Sequence, residues 1–303
     1  MHETARSVLI VGAAHIDEIA YPDNILQAHA SNPVHWQRRL GGVGINVALA
    51  ACDSRPTATI RFMAAVGDDT AGAQLAKTLD RELLESQLIT IPGQTTGRYA
   101  AIINEHGELY IGLADVSVAE ALTPQALLPF MIPARSDTLV LDANLSVDCL
   151  AQLARWQKEQ PGDEHCATIA LAVSPTKAVR LKPLASQIDT LFCNRREASA
   201  LTGQQAESPA GQLADGLLQV GFRCFVLTDG GEPLLVQTAN NREHISVAAV
   251  DRVKQVNGAG DALAGATIAA LADGCDIGDA LRDSGLPAAA AILTGTTCAR
   301  SIK

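Results

Sequence analysis

Aromatic side chains are scarce in this chain: 2 Trp, 3 Tyr and 5 Phe among 303 residues, 3% of the total. Aliphatic side chains and Ala must therefore fill the core. Positive charge is also in short supply, with 23 Lys and Arg against 33 Asp and Glu, for a formal net charge of -10. A polynucleotide backbone is neutralised by clustered Lys and Arg, so this balance argues against a nucleic-acid polymer as partner. A single nucleotide, held by a few local groups, stays open. No apolar run approaches the roughly 18 residues of a membrane span. Residues 1–7 carry two charged side chains and run straight into a strand-like segment, so no signal peptide is expected. The 7 cysteines are an odd number and contain no Cys-x-x-Cys pair. That spacing disfavours a zinc site or a disulfide framework and fits a reducing cytoplasm.

What is present describes an ordered globular protein, with 48% hydrophobic and 18% charged residues. The length suits one large α/β domain or two average ones and can bury a substantial core. Short β-branched runs predict strands at 8–12, 59–66, 138–142, 168–173, 189–193 and 223–228. Helices are predicted at 45–52, 71–84, 147–159 and 209–220, with a further Ala-rich helical stretch over 261–300. This alternation implies βαβ units, a mostly parallel sheet and helices on both of its faces. Residues 13–40 read as loops and short exposed strands, and 97–113 as a hairpin turning at Glu105-His106-Gly107-Glu108. Segments 234–237 and 245–250 read as an antiparallel pair at the sheet edge. One core over 1–303 with a small inserted sheet is more economical than two domains.

Four features carry the chemistry. Asp17 follows the first strand in Gly12-Ala13-Ala14-His15-Ile16-Asp17. Gly41-Gly42-Val43-Gly44-Ile45-Asn46 opens a helix. Asn194-Arg195-Arg196-Glu197 follows a strand. Gly258-Ala259-Gly260-Asp261 begins the late apolar helix. In open α/β sheets, ligands bind outside the carboxyl ends of the strands, so all four can share one rim. A small-residue turn at a helix start exposes N–H groups that attract phosphate. An Asp at that joint either caps the helix or takes a proton from an incoming hydroxyl. No Gly-x-Gly-x-x-Gly follows the first strand, which disfavours a dinucleotide-binding oxidoreductase.

Taken together in order and spacing, these motifs resemble the ribokinase-like (PfkB) family of carbohydrate and nucleoside kinases over nearly the whole chain. Val66-Gly67-Asp68-Asp69-Thr70-Ala71-Gly72 also fits that family. The resemblance implies a ribokinase-like three-layer sandwich with a small β lid, built from segments inserted at about 13–40 and 97–116. It implies ATP as phosphoryl donor and Asp261 as base toward the acceptor hydroxyl. Backbone N–H groups of Gly258, Ala259 and Gly260 would form an anion hole. Asn194 and Glu197 would orient Mg2+ through water. Asp17, Gly41, Gly42 and Asn46 would hold the sugar. Thr228, Gly230 and Asn257, with Asn194, would bind the nucleotide. Pro233 stands where the family commonly has Gly. Asn257 and Gln255 stand where it commonly has Thr or Ser and Asp, so Mg2+ is expected and a monovalent cation such as K+ is left open. Pairing of lids implies a homodimer.

Within the family, several short segments are most similar to bacterial pseudouridine kinases. They are Ala30-Ser31-Asn32-Pro33, Asn104-x-x-Gly107-Glu108, Ala114-Asp115-Val116-Ser117, Asp142-Ala143-Asn144-Leu145-Ser146 and Val173-Ser174-Pro175-Thr176-Lys177. That similarity implies transfer of the ATP γ-phosphoryl to the 5′-hydroxyl of pseudouridine, with Asp115, Asn144 and Lys177 lining the acceptor pocket. The alternatives are another sugar or nucleoside acceptor, or a catalytically silent sugar or nucleotide sensor.

Overall fold

The computed structural model describes residues 6–80, 82, 84–106, 109–131, 137–159, 166–250, 252–254, 257–296 and 302. Gly107, Glu108, Gln255 and Cys298 lie outside the described residues.

The larger sheet has nine strands in the order β13-β12-β11-β10-β9-β8-β1-β4-β5. Its parallel strands are β1 (Ser7–Val11), β4 (Thr59–Gly67), β5 (Glu85–Ile91), β8 (Thr138–Asp142), β9 (Ala167–Leu171), β10 (Thr190–Asn194) and β11 (Phe225–Thr228). Two short antiparallel strands, β12 (Leu234–Gln237) and β13 (Arg242–Ile245), close one edge.

Side-chain alternation along β1 explains the layering. Val8 and Ile10 join one buried cluster, Leu9 and Val11 another, so each face of the sheet has its own core. Helices α1 (Val43–Asp53), α2 (Thr70–Leu79) and α8 (Ala259–Ala272) contribute Ile45, Leu75 and Ile268 to the first cluster. Helices α4 (Val147–Lys158), α6 (Arg195–Thr202) and α7 (Ala210–Val220) contribute Leu150, Leu201 and Leu213 to the second. The remaining helices are α3 (Pro124–Met131), the short α5 (Pro175–Ala178) and α9 (Ile277–Ala280), and α10 (Leu286–Thr294). Tighter 3-10 turns span Ser117–Ala121 and Val179–Gln187. Together these layers make an α/β sandwich with helices on both faces of a mostly parallel sheet.

A second sheet of four strands, ordered β3-β2-β6-β7, stands apart. It consists of β2 (His15–Pro22), β3 (Val34–Gly41), β6 (Gly97–Ile103) and β7 (Leu109–Asp115). Strands β2 and β3 are eight residues each, longer than the short strands expected over 13–40.

Two expectations are corrected. The helix expected over 71–84 ends at Leu79, and Glu85–Ile91 is strand β5. Leu75, Leu79 and Leu84 are all buried at near-helical spacing, so apolar periodicity ran past the true end at Asp80. The outer strand of the edge pair is Arg242–Ile245, not 245–250. A tight turn, with the Thr238 N–H donating to the Asn241 carbonyl at 2.8 Å, fixes the register of Gln237 against Arg242.

Candidate active site

All seven parallel strands point the same way, so the segments following β1, β8, β9, β10 and β11 emerge along one rim of the sheet. Asn194 ends β10 and pairs in register with Thr228 at the end of β11. Asn194 also caps α6 through a capping box. Its side chain accepts from the Glu197 N–H at 3.0 Å, while the Glu197 carboxylate accepts from the Asn194 N–H at 2.8 Å. Glu197 is buried, and burial pushes its carboxyl above the ordinary range despite these bonds.

The late helix α8 starts at Gly258, whose φ of 89° lies in the left-handed region that glycine adopts without strain. A Cβ placed on Gly258 or Gly260 would meet nothing within 4 Å, so packing leaves the space before this helix start open. Asp261 sits in the first turn. Asn46 of α1 donates to its Oδ2 at 2.8 Å. Gly265 permits that approach: a Cβ there would overlap the Val47 carbonyl oxygen and lie 2.7 Å from the Ala50 Cβ. Desolvation pushes the Asp261 carboxyl up to about 7, the Asn46 bond opposes this, and Asp142, Glu197 and Asp17 add like-charge repulsion. Acidic groups from three other segments therefore act on this one carboxyl.

Asp17 lies on β2 in the small sheet, with one carboxylate oxygen 2.9 Å from His15 Nδ1. The approach lacks the alignment of a hydrogen bond, and both atoms are buried without another partner. A Cβ on Gly41 would overlap the Asp17 carboxylate, which is why the facing strand ends in glycine. At Gly42, φ is 112° and a Cβ would strike the Ala13 backbone.

Asp142, at the end of β8, is fully buried. It accepts from the N–H groups of Ala13 (3.0 Å), Gly44 (2.9 Å) and Asn144 (2.6 Å), and from the Asn144 side chain at 2.6 Å. Burial raises its carboxyl, and these donors oppose the rise. The Lys177 ammonium donates to Asn144 Oδ1. Burial holds that ammonium below the ordinary lysine range.

Sequence reasoning quoted Asp142 without giving it a role. An acidic residue closing the apolar run Leu139-Val140-Leu141 was the available signal. The structure brings Asn46 to Asp261, places Asp17 and Glu197 in its field, and joins Asn144 to Lys177. Asp115 stands elsewhere: it is exposed, its carboxylate accepts from the Ser117 hydroxyl at 2.8 Å, and it pairs with Arg98 rather than with the Asp17 row. Gly230 lies in an exposed turn with φ of 61° and open space around it. The preceding Asp229 is gripped by Arg195 at 2.7 Å and 2.6 Å. Asn257 is exposed immediately before Gly258. The Gly67–Gly72 motif is structural. Asp69 caps α2 at Gly72 and accepts from the Thr96 N–H and hydroxyl, tying β4 to the start of β6.

A cavity of about 610 Å3, which sequence reasoning missed, lies between residues 245–250 and α10, with Ile245, Val247, Val250, Leu286 and Leu293 in its wall. Its apolar lining carries no motif. Among the described residues no group of three or more His, Cys, Asp or Glu could hold a metal ion alone, and no helix is long and apolar enough to cross a membrane.

Comparison with known proteins agrees with this geometry. Pseudouridine kinase of Escherichia coli strain K12 is 27% identical over 284 residues, 91% of this chain and 87% of that protein. A carbohydrate kinase from Agrobacterium tumefaciens superposes with a TM-score of 0.81 at 33% identity, covering 97% of this chain and 92% of its own. Ribokinase from Thermotoga maritima shares the fold, with a TM-score of 0.80 at 20% identity and 97% of each chain covered. The pfkB family carbohydrate kinase pattern matches residues 5–303, so the chain belongs to that family and is a phosphotransferase acting on a hydroxyl group.

Proposed function

We propose that this enzyme transfers the γ-phosphoryl of ATP to the 5′-hydroxyl of pseudouridine, giving pseudouridine 5′-phosphate and ADP. The observation that carries the reading is the pairing of Asp261 with an open helix start. A carboxylate whose pKa has been raised to about 7 suits a base working near neutrality. It stands in the first turn of a helix at whose start a Cβ on Gly258 or Gly260 would meet nothing within 4 Å.

In the proposed reaction Asp261 takes the proton as the acceptor oxygen attacks the γ-phosphorus. The bond from that phosphorus to the β–γ bridging oxygen breaks, and ADP leaves. The N–H groups of Gly258, Ala259 and Gly260 stabilise charge on the transferred group, aided by the helix dipole. Asn46 orients the base. Asp17, Gly41 and Gly42 grip the sugar, and Asn144 and Lys177 contact the acceptor beyond it. Asp115, exposed on the small sheet, belongs to this pocket only through its sequence match.

Asn194, Thr228, Gly230 and Asn257 line the nucleotide side, and the apolar cavity beside α10 has the size and lining for an adenine ring. Mg2+ fits this donor set as an ion carried by phosphates and water: Glu197 is buried and holds the Asn194 N–H, and Mg2+ keeps much of its hydration shell. When bound, the ion would neutralise phosphate charge.

The four-stranded sheet acts as a lid that excludes water over the acceptor. Exposed Trp36, Leu109, Tyr110, Ile111 and Leu113 on that sheet support pairing of two lids in a homodimer. ATP dependence and the abundance of thiols favour a cytoplasmic setting.

The test is ADP release with pseudouridine, uridine, adenosine, ribose and fructose as acceptors. Pseudouridine is expected to give the highest kcat/KM. Faster turnover of ribose or fructose overturns the acceptor while leaving the kinase class intact. Binding without ADP release for every acceptor identifies a silent sensor.

A further inference from the structure

The loop Ala143–Asn144–Leu145 leaves the rim after β8, and all three residues are buried. Buried backbone groups need partners, because each orphan forfeits the hydrogen bond it made to water. The N–H groups are satisfied from within the fold. Ala143 donates to the Leu171 carbonyl at 3.0 Å, Leu145 to the Asp142 carbonyl at 3.1 Å, and Asn144 to the Asp142 carboxylate at 2.6 Å.

The three carbonyls converge instead on one side chain. Arg180 Nη1 lies 3.3 Å from the Ala143 oxygen and 3.1 Å from those of Asn144 and Leu145. Its Nη2 donates to the Glu120 carboxylate at 2.7 Å. Glu120 belongs to the 3-10 turn that follows β7, so the guanidinium spans two segments far apart in sequence. The loop is thus held from one side by a buried anion and from the other by a cation. Asn144 lies between them and accepts from the Lys177 ammonium. A rigid planar donor fork suits Arg here, and Lys would reproduce it poorly.

We propose that Arg180, anchored by Glu120, is a positioning residue that fixes the Ala143–Leu145 loop so that Asn144 and the Lys177 ammonium are presented to the acceptor. The inference rests on the acceptor reading given above for Asn144 and Lys177. It goes beyond that reading by assigning a specificity role to a side chain that touches neither substrate. No sequence motif marks it.

The experiment compares Arg180→Lys, Arg180→Ala, Glu120→Gln, Asn144→Ala, Lys177→Ala and the Arg180→Ala/Asn144→Ala double variant in the full chain. Steady-state kinetics are measured with ATP against pseudouridine, or against whichever acceptor the screen ranks first. Losing a charged hydrogen-bond clamp predicts a rise of about ten-fold in acceptor KM for Arg180→Ala. KM for ATP stays unchanged, Arg180→Lys recovers part of the loss, and Glu120→Gln moves the same way by less. The double variant should be no worse than Asn144→Ala alone, because Arg180 acts through the Asn144 side chain, which in turn holds the Lys177 ammonium.

Equal rises in both KM values with a lower melting temperature would reduce Arg180 to a stability element. Unchanged acceptor KM in the Arg180 variants, or additive losses in the double variant, would also overturn the inference while Asn144→Ala still raises acceptor KM. If Asn144→Ala and Lys177→Ala leave acceptor KM untouched, the acceptor assignment of this loop falls, and the inference with it.

Discussion

Asn46 and Asp261 are 215 positions apart in the chain, yet the Asn46 amide donates to the Asp261 carboxylate at 2.8 Å. In the proposed reaction the other carboxylate oxygen of Asp261 takes the proton of the incoming hydroxyl. Replacing Asp261 with Asn removes the proton acceptor and keeps the size. Turnover is expected to fall by several powers of ten, a loss of more than about 4 kcal/mol of transition-state stabilisation. Near-parental ADP release by Asp261→Asn would remove Asp261 as the base.

The same carboxyl sets a pH dependence. Its folded pKa, at about 7, lies above the ordinary value, so the folded state favours the protonated form. Ionisation therefore destabilises the fold as pH rises from about 4 toward 7. The catalytically useful form is the ionised one, so kcat/KM rises through that same upper value. Asp261→Asn should melt above the parent at pH 8 and close to it near pH 4. Melting scans across pH, paired with kcat/KM profiles, check both signs. Identical pH dependence of melting in parent and variant would contradict the raised carboxyl.

Gly260→Ala separates phosphate binding from packing. A Cβ there meets nothing within 4 Å, and Gly260 is not among the left-handed glycines. The unliganded variant should keep its melting temperature or gain up to about 1 kcal/mol through a less flexible unfolded chain. Turnover and affinity for a non-hydrolysable ATP analogue should fall, because the methyl group would enter the space proposed for the transferred phosphoryl, while ADP, which lacks that group, should bind nearly as it does to the parent. Calorimetric titration with both nucleotides checks this, and unaltered analogue affinity with unaltered turnover would contradict the assignment.

Gly265→Ala acts from a distance. Its methyl group collides with the α1 backbone, so α1 and α8 must separate and the bond from Asn46 to Asp261 lengthens. A stability loss of about 1–3 kcal/mol is expected from overpacking. Turnover should fall further than stability explains, measured where the variant is still fully folded. Parental turnover under those conditions would show that the helix spacing does not set the geometry of the base.

Glu197→Gln tests the metal assignment. Gln can preserve the capping box, so the fold should hold. The Mg2+ concentration giving half-maximal activity should rise severalfold, with little change in acceptor KM. Unchanged Mg2+ dependence would release Glu197 from that role.

Much of this architecture was legible from residue order. Regular alternation of β-branched runs and helices announced the parallel sheet, and Gly258-Ala259-Gly260-Asp261 announced the helix start. Strand β5 was not legible, because its Glu85, Ser86 and Gln87 lack a buried alternating face and the preceding Leu75, Leu79 and Leu84 extend a helical rhythm. The wall of the cavity beside α10 was hidden for the opposite reason: Val247, Val250 and Leu293 look like any core residues. The choice between capping and chemistry at Asp261 was also beyond the motif. The hydrogen-bond partner of its side chain, Asn46, lies on another helix. Arg180 left no trace in sequence because what it recognises is main chain, which every residue shares.

The repulsion that Asp142, Glu197 and Asp17 exert on the Asp261 carboxyl has a kinetic corollary. Like charges that crowd a low-dielectric space raise the energy of any anion entering it alone. In the proposed reaction a bare triphosphate would meet that repulsion in full, whereas one escorted by a divalent ion would arrive with much of its charge already screened. The same acids would then act as a turnstile, admitting the donor in its metal-complexed form ahead of the naked one.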